Sequence, residues 1–308
     1  AEAKIASQPK SLGLNWIEMG PDNVGGRTRT ITIDPSDPSG NTLWAGGVTG
    51  GLWKSLDGAN TWENVAGFNE NLIVSSIAFT GNGHLYVATG PSFDGGGGTG
   101  GSGSIGAGLF RSDDNGGTFT LVIGPSIDWN EGSDWAFINK IAADPLNSEG
   151  LWAGGNAGFK HYTETGGFTV PTGISATANC RAVEVSADGQ VVVAGISSNQ
   201  AFISIDGGNT FAQASQGSTT GRLPNTGVDR MEFAVSPDDH NYIYALQPNG
   251  GRTNGVFVSQ NAGQGDTWQR IWPPGFGTGL VRQRDRGASR HQFAGSVGRR
   301  CVLVEDHP

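Results

Sequence analysis

Ser55-Leu56-Asp57-Gly58-Ala59-Asn60-Thr61-Trp62 decides the fold, because the chain repeats it. It recurs as Ser112-Asp113-Asp114-Asn115-Gly116-Gly117-Thr118-Phe119 and as Ser204-Ile205-Asp206-Gly207-Gly208-Asn209-Thr210-Phe211. A stretched copy runs from Ser259 to Trp268, with Asn261 in the Asp position. A decayed copy sits at Thr163-Glu164-Thr165-Gly166-Gly167-Phe168. The serine-to-serine steps are 57, 92 and 55, and the decayed copy splits the longest into 51 and 41. A period near 50 residues signals stacked supersecondary units. The box has a turn's chemistry. Its carboxylate accepts N–H bonds, and its glycines supply positive φ.

Each copy has the same prelude. A first strand ends at a small or acidic turn, as in Ile31-Thr32-Ile33-Asp34-Pro35, Ile141-Ala142-Ala143-Asp144-Pro145 and Phe233-Ala234-Val235-Ser236-Pro237. A second strand follows, as in Leu43-Trp44-Ala45-Gly46, Leu85-Tyr86-Val87-Ala88 and Val191-Val192-Val193-Ala194. A third enters the box and a fourth leaves it. Four short strands between turn signals read as one blade of an all-β propeller with antiparallel blades. Five units are recognisable. With the chain ends they predict six blades, with seven, or part of a larger propeller, as alternatives. The expected organisation is an N-terminal arm over residues 1–14, a propeller over 15–271, and a divergent segment over 272–308.

Composition agrees with short strands and tight turns. Glycine supplies 52 of 308 residues, where average usage gives about 22. A net charge of −9 argues against a nucleic-acid partner, since phosphate needs a basic face. No apolar run approaches the roughly 18 residues of a membrane helix, so no membrane insertion is expected. Cys180 and Cys301 show no zinc spacing, and no metal site is predicted. The two cysteines could form a bridge in an oxidising compartment, or Cys180 could be a buried thiol.

The boxes resemble those of the Asp-box (BNR-repeat) propellers, with Ser55, Asp57 and Trp62, Ser112, Asp114 and Phe119, and Ser204, Asp206 and Phe211 as structural positions. That superfamily includes sialidases, xyloglucan-cleaving hydrolases, sortilin-type receptors and photosystem assembly factors. The opening Asn15–Arg27 and the stretch Ala45–Ser55 resemble the start of exported bacterial propellers, often surface-attached. The resemblance implies a secreted or cell-surface protein. A strand near Trp16–Met19 would then complete the last blade. Residues 272–308 leave the pattern and carry six arginines: Arg282, Arg284, Arg286, Arg290, Arg299 and Arg300.

Functional groups are expected on the face opposite the boxes, where loops join strands two to three and one blade to the next. Gly90–Ala107 is glycine-rich, but it lacks the lysine and following helix of a phosphate cradle. The loop from Ile123 to Phe137 holds Asp128, Trp129, Glu131, Asp134 and Trp135. These suit sugar stacking and hydroxyl binding, or Ca²⁺ as an oxygen-ligated ion, although the spacing is not that of an EF-hand. The alternative is a solvated loop with one Trp packed on the core. Before the innermost strands lie Arg27, Arg29, Lys140, Arg181 and Arg230. Blade alignment makes Arg29 and Arg181 equivalent, with Lys140 and Arg230 one place off. They either ring the channel mouth and attract an anion, or pair with Asp22, Asp229 or Glu232.

Catalysis by sialidase chemistry would need a Tyr nucleophile and an arginine triad. All four tyrosines fall in the blade pattern, and the Arg-Ile-Pro entry motif is absent. In the xyloglucan hydrolases a catalytic Asp lies in an Arg-Thr-Asp-Ile-Gly-Gly run. The matching stretch, Gly46-Gly47-Val48-Thr49-Gly50-Gly51, has no carboxylate. The expected function is therefore a non-catalytic binding or scaffold module, with a glycan or surface protein as partner. A glycoside hydrolase with other acids is the alternative.

Overall fold

The computed structural model describes residues 27–69, 72–92, 105–125, 134–197, 200–215, 221–228, 230–249 and 252–272. Among them there is no helix. They form five four-stranded antiparallel sheets, each ordered as its strands follow in the chain. Blade one is β1(Thr28–Ile33), β2(Leu43–Gly47), β3(Leu52–Ser55) and β4(Glu63–Asn64). Blade two is β5(Val74–Phe79), β6(Leu85–Thr89), β7(Leu109–Ser112) and β8(Thr120–Ile123). Blade three is β9(Ile138–Ala143), β10(Gly150–Gly155), β11(Gly158–Thr163) and β12(Gly167–Thr169). Blade four is β13(Cys180–Val185), β14(Val192–Ile196), β15(Gln200–Ser204) and β16(Ala212–Gln213). Blade five is β17(Glu232–Val235), β18(Ile243–Asn249), β19(Arg252–Ser259) and β20(Gln269–Trp272).

The first strands pack in succession, β1 on β5, β5 on β9, β9 on β13 and β13 on β17, so they line the axis of a propeller ring. The five units read from the boxes are these five blades. The residues expected to supply a sixth lie outside the described residues.

Strand period sets the packing. Alternate side chains of a blade face opposite neighbours. In blade two, Val74, Ile77, Leu85, Val87 and Phe110 pack against Trp44 and Leu52 of blade one, while Tyr86, Ala88 and Leu109 meet Ile141, Leu151, Ala153 and Tyr162 of blade three. Burying each such apolar side chain contributes roughly 1.5–3 kcal/mol. The blades are therefore held by inter-blade cores that alternate through each sheet.

The boxes join strands three and four as expected, and their geometry repeats. The buried Ser55 Oγ accepts the Ala59 N–H at 2.9 Å and donates to Asp57 Oδ1 at 2.9 Å. Asp57 accepts the Thr61 N–H at 2.8 Å and its hydroxyl at 2.7 Å. Ser112 and Asp114 make the same bonds, and so do Ser204 and Asp206. Two consecutive residues in each turn are left-handed: Gly58 and Ala59, Asn115 and Gly116, Gly207 and Gly208. The stretched copy keeps the serine bond, Gly263 N–H to Ser259 Oγ at 2.9 Å, and the left-handed pair Ala262 and Gly263. Phe119 packs edge-on against Phe68 at 5.0 Å, and Phe211 against Phe159 at 5.4 Å.

Candidate functional site at the loop-face mouth of the axis

The box turns meet the turns between strands one and two. Gly58 donates to the Asn41 carbonyl at 2.9 Å, Gly207 to Gln190 at 3.0 Å, and Ala262 to Asn241 at 2.9 Å. That face is closed on itself and cross-linked. His240 Nδ1 meets Asp188 of the preceding blade at 2.6 Å. Glu164 reaches from blade three to His84 Nδ1 at 2.6 Å, Tyr86 Oη at 3.0 Å and Asn82 Nδ2 at 3.0 Å, all in blade two. The decayed box thus carries an inter-blade carboxylate staple in place of an internal one. An acidic hollow of about 300 Å³, lined by Asp188, Asp238, Asp239 and His240, lies on this face. Among the described residues no cluster of three or more His, Cys, Asp or Glu could hold a metal ion.

The opposite face is built differently. Each first strand runs from the loop face toward the boxes, and four of the five begin with a bulge at the same place. The pairing skips Arg29 between Thr28 and Thr30, Ser75 between Val74 and Ser76, Asn139 between Ile138 and Lys140, and Arg181 between Cys180 and Ala182. A bulge kinks its strand and re-aims the extra side chain. Four blades therefore present a polar residue at one structural position, beside the loop-face end of the axis. Asn139 shows how far such a side chain reaches. Its Oδ1 accepts the Ser92 N–H at 2.7 Å, and its Nδ2 donates to Asn179 Oδ1 at 3.0 Å and to the Cys180 carbonyl at 2.7 Å. It ties the root of the glycine-rich loop to blade four.

Around this position charges converge. Lys140 Nζ lies 3.5 Å from Glu184, and Arg230 Nε lies 3.2 Å from Glu232. Burial pushes the Glu232 carboxyl up, while Arg230, Lys140 and Arg29 pull it back. Glu184 beside Lys140 raises the lysine pKa and outweighs burial. Groups from blades one, three, four and five act on one carboxyl, which places them around the axis. The expected pairing of Arg230 with Glu232 is present. Glu184 was missed by sequence reasoning. Its signal was an acid in Cys180–Val185 where the equivalent positions are Thr32, Ala78, Ala142 and Ala234.

The carboxylate-free stretch in blade one is a tight backbone turn. Gly47 donates to Gly51 at 2.9 Å, Val48 to Arg27 at 2.9 Å, and Gly51 to Leu72 at 2.8 Å. Of the acidic loop, Asp128, Trp129 and Glu131 lie outside the described residues, and with them most of the Ca²⁺ expectation. Burial lowers the Lys160 pKa and the exposed Asp134 offsets only part of that; the Lys160 ammonium donates to the Ala176 carbonyl at 2.7 Å. Trp135 has φ +67 and its ring lies 4.4 Å from Phe168. A left-handed backbone is costly for so bulky a residue. Here it turns the half-buried indole onto the core between blades two and three. Cys180 is a free, fully buried thiol, pushed up to about 12 by burial. Cys301, Asp22 and Asp229 lie outside the described residues.

No protein-family model and no curated protein matches the chain. Solved structures do. An ancestral GH74 enzyme superposes with a TM-score of 0.56 at 20% identity, over 80% of this chain and 33% of that one. The propeller fold is shared. A GH74 enzyme of Niastella koreensis gives 0.56 at 18% identity, over 80% and 38%. YCF48 from Cyanidioschyzon merolae gives 0.45 at 14%, over 80% and 84%. The chain spans about a third of the length of the two GH74 enzymes. At these identities the likeness concerns the fold, since one fold hosts many chemistries.

Proposed function

We propose that this chain is a non-catalytic propeller module of the Asp-box type. It binds an anionic group, presented by a glycan or a surface protein, at the loop-face mouth of its axis. The observation that carries the reading is the recurrent bulge that sets Arg29, Ser75, Asn139 and Arg181 at one position in four blades. Lys140 and Arg230 stand one place away. Cations around a narrow polar mouth attract an anion although the whole chain is acidic. The box face shows no such convergence of cations among the described residues; its hollow is lined by the carboxylates Asp188, Asp238 and Asp239.

A binding role fits better than hydrolysis. Two carboxyls flanking a sugar are needed for glycoside cleavage. Glu184 and Glu232, the acids of the axis among the described residues, are both engaged by cations. The repeated turn geometry supports the Asp-box assignment, and the extracellular or cell-surface location follows from it as part of the same proposal. The test is a binding screen with acidic and neutral glycans and with acidic peptides. The proposal expects acidic ligands of one carrier class to bind and Arg29→Ala/Arg181→Ala to weaken them at least tenfold. Unchanged binding in the double variant contradicts it. So does turnover of β-glucans or sialosides that disappears on replacing Glu184 or Glu232.

A further inference from the structure

One carboxyl stands among the cations of the mouth. Glu232 opens β17, 3.2 Å from Arg230 Nε of its own blade. Lys140 of blade three and Arg29 of blade one also attract it, and Glu184 of blade four repels it. Lys140 is shared, since its Nζ lies 3.5 Å from Glu184. Strands β13, β14 and β18 pack against β17. Of these, β13 carries Arg181 and Glu184, and β14 carries no titratable group. Strand β18 carries only Tyr244, whose phenol is raised above the ordinary 10 by burial and stays neutral. The inner strand of blade two, β5, brings no charge. The side chains of Arg230, Glu232, Glu184 and Lys140 are between 23% and 43% exposed, so water and a small ligand reach them. The described histidines are elsewhere: His84, His161 and His240 bond acids at the box-face end of the blades.

We infer that Glu232 is the internal counter-ion of this mouth and a proton-operated switch on it: ionised, it competes with an incoming anion for the same cations, and anion binding is coupled to proton uptake on this carboxyl. The inference rests on the anion-binding reading of the mouth and adds its regulation. The sign follows from the neighbours. Burial already disfavours the ionised form and leaves the carboxyl above its ordinary 4.5, although Arg230, Lys140 and Arg29 pull it down. An anion held by those cations adds a like charge at short range and draws them away, which raises the carboxyl further. Coupling between two bound species is reciprocal. A ligand that favours the protonated carboxyl is therefore bound more tightly once the proton is on. Affinity rises as pH falls through the range of Glu232, above 4.5, and protonation raises the positive charge of the mouth by one. Glu184 beside Lys140 keeps a carboxylate in the mouth when Glu232 is neutral, so the site opens to an anion without losing all its internal pairing.

The experiment is calorimetric titration of the full chain with inorganic sulfate at pH 8 and pH 5, at constant ionic strength. Sulfate keeps its charge across this range, so a change in affinity belongs to the protein. The switch predicts a Kd lower by about fivefold or more at pH 5. Repeating the titration at pH 6 in two buffers of different ionisation enthalpy should show net proton uptake in the unaltered chain. Glu232→Gln, which removes the charge and keeps the shape, should bind sulfate at pH 8 about as tightly as the unaltered chain does at pH 5, with little dependence on pH. Sulfate bound with one Kd at both pH values and no proton uptake overturns the switch and leaves the anion site standing. A pH dependence that persists in Glu232→Gln also overturns it, because another group then carries the proton. No sulfate binding by either protein at either pH removes the anion site itself, and the switch with it.

Discussion

The Glu164 carboxylate of blade three lies 2.6 Å from the His84 ring nitrogen of blade two, 80 residues earlier in the chain. Its second oxygen lies 3.3 Å from Arg111. Burial pushes this carboxyl up, but hydrogen bonds from Asn82, His84 and Tyr86 outweigh it and hold the pKa below the ordinary 4.5. A depressed folded pKa contributes stability that is present above the unfolded value and lost as pH falls through the folded one. Glu164→Gln is therefore expected to cost about 1–3 kcal/mol near neutrality, and the difference from wild type should shrink below pH 4.5. Urea titrations at pH 7 and pH 3.5 check this. An equal loss at both would mean the charge is not what matters.

The box carboxylates titrate in a different window. Hydrogen bonds from the Thr210 hydroxyl, Ser204 and the Thr210 N–H hold Asp206 at about 2. Its contribution is complete above the ordinary 3.8 and disappears as pH falls toward 2. Asp206→Asn should lower Tm at pH 6 and converge on wild type near pH 2, as measured by thermal melts across that range. The buried partner is the stronger test of the staple. Ser204→Ala leaves the Gly208 N–H without its 2.8 Å acceptor and should cost about 1–3 kcal/mol.

Two left-handed glycines separate backbone strain from packing. Gly83 has φ +87 and open space where a Cβ would go. Gly83→Ala should cost only the left-handed strain of about 1–2 kcal/mol. Gly208 has φ +86, and a Cβ there would run into the Trp152 indole. Gly208→Ala should add about 1–3 kcal/mol of overpacking to the same strain. Denaturant midpoints that fail to rank Gly208→Ala below Gly83→Ala would show that the box does not press on the inner sheet.

Cys180 lies in the core between blades three and four, and its thiol donates to the Ala182 carbonyl at 3.3 Å. A thiol pushed up to about 12 carries almost no thiolate at pH 8. In the Cys301→Ser chain, a thiol reagent should titrate no cysteine in buffer and one in urea. Prompt reaction in buffer would contradict the burial.

The boxes were legible because their chemistry is local. Ser55, Asp57 and Thr61 bond within seven residues, so the sequence pattern is the structure. The equivalence of Arg29 and Arg181 was legible too, since every blade repeats its prelude. What escaped was the meeting of distant segments. Nothing near Glu164 announces Tyr86 as its partner, and Glu184 gained meaning only when Lys140 of the neighbouring blade came beside it. Trp135 sits in a loop of acids and aromatics that suggested sugar stacking. Its left-handed backbone lays the half-buried ring against the inter-blade core, and no spacing rule encodes that turn.

The division of labour between the two faces is tested most directly by comparing two variants against an acidic ligand. Arg29→Ala/Arg181→Ala alters the loop-face mouth, and Asp57→Asn alters a box turn on the other face. Binding isotherms with the tightest acidic ligand from the screen should show at least a tenfold rise in Kd for the arginine variant, roughly 1.4 kcal/mol or more. Asp57→Asn should bind within twofold of wild type. Equal Kd values for wild type and the arginine variant, or a loss confined to the box variant, would contradict a loop-face site on the axis.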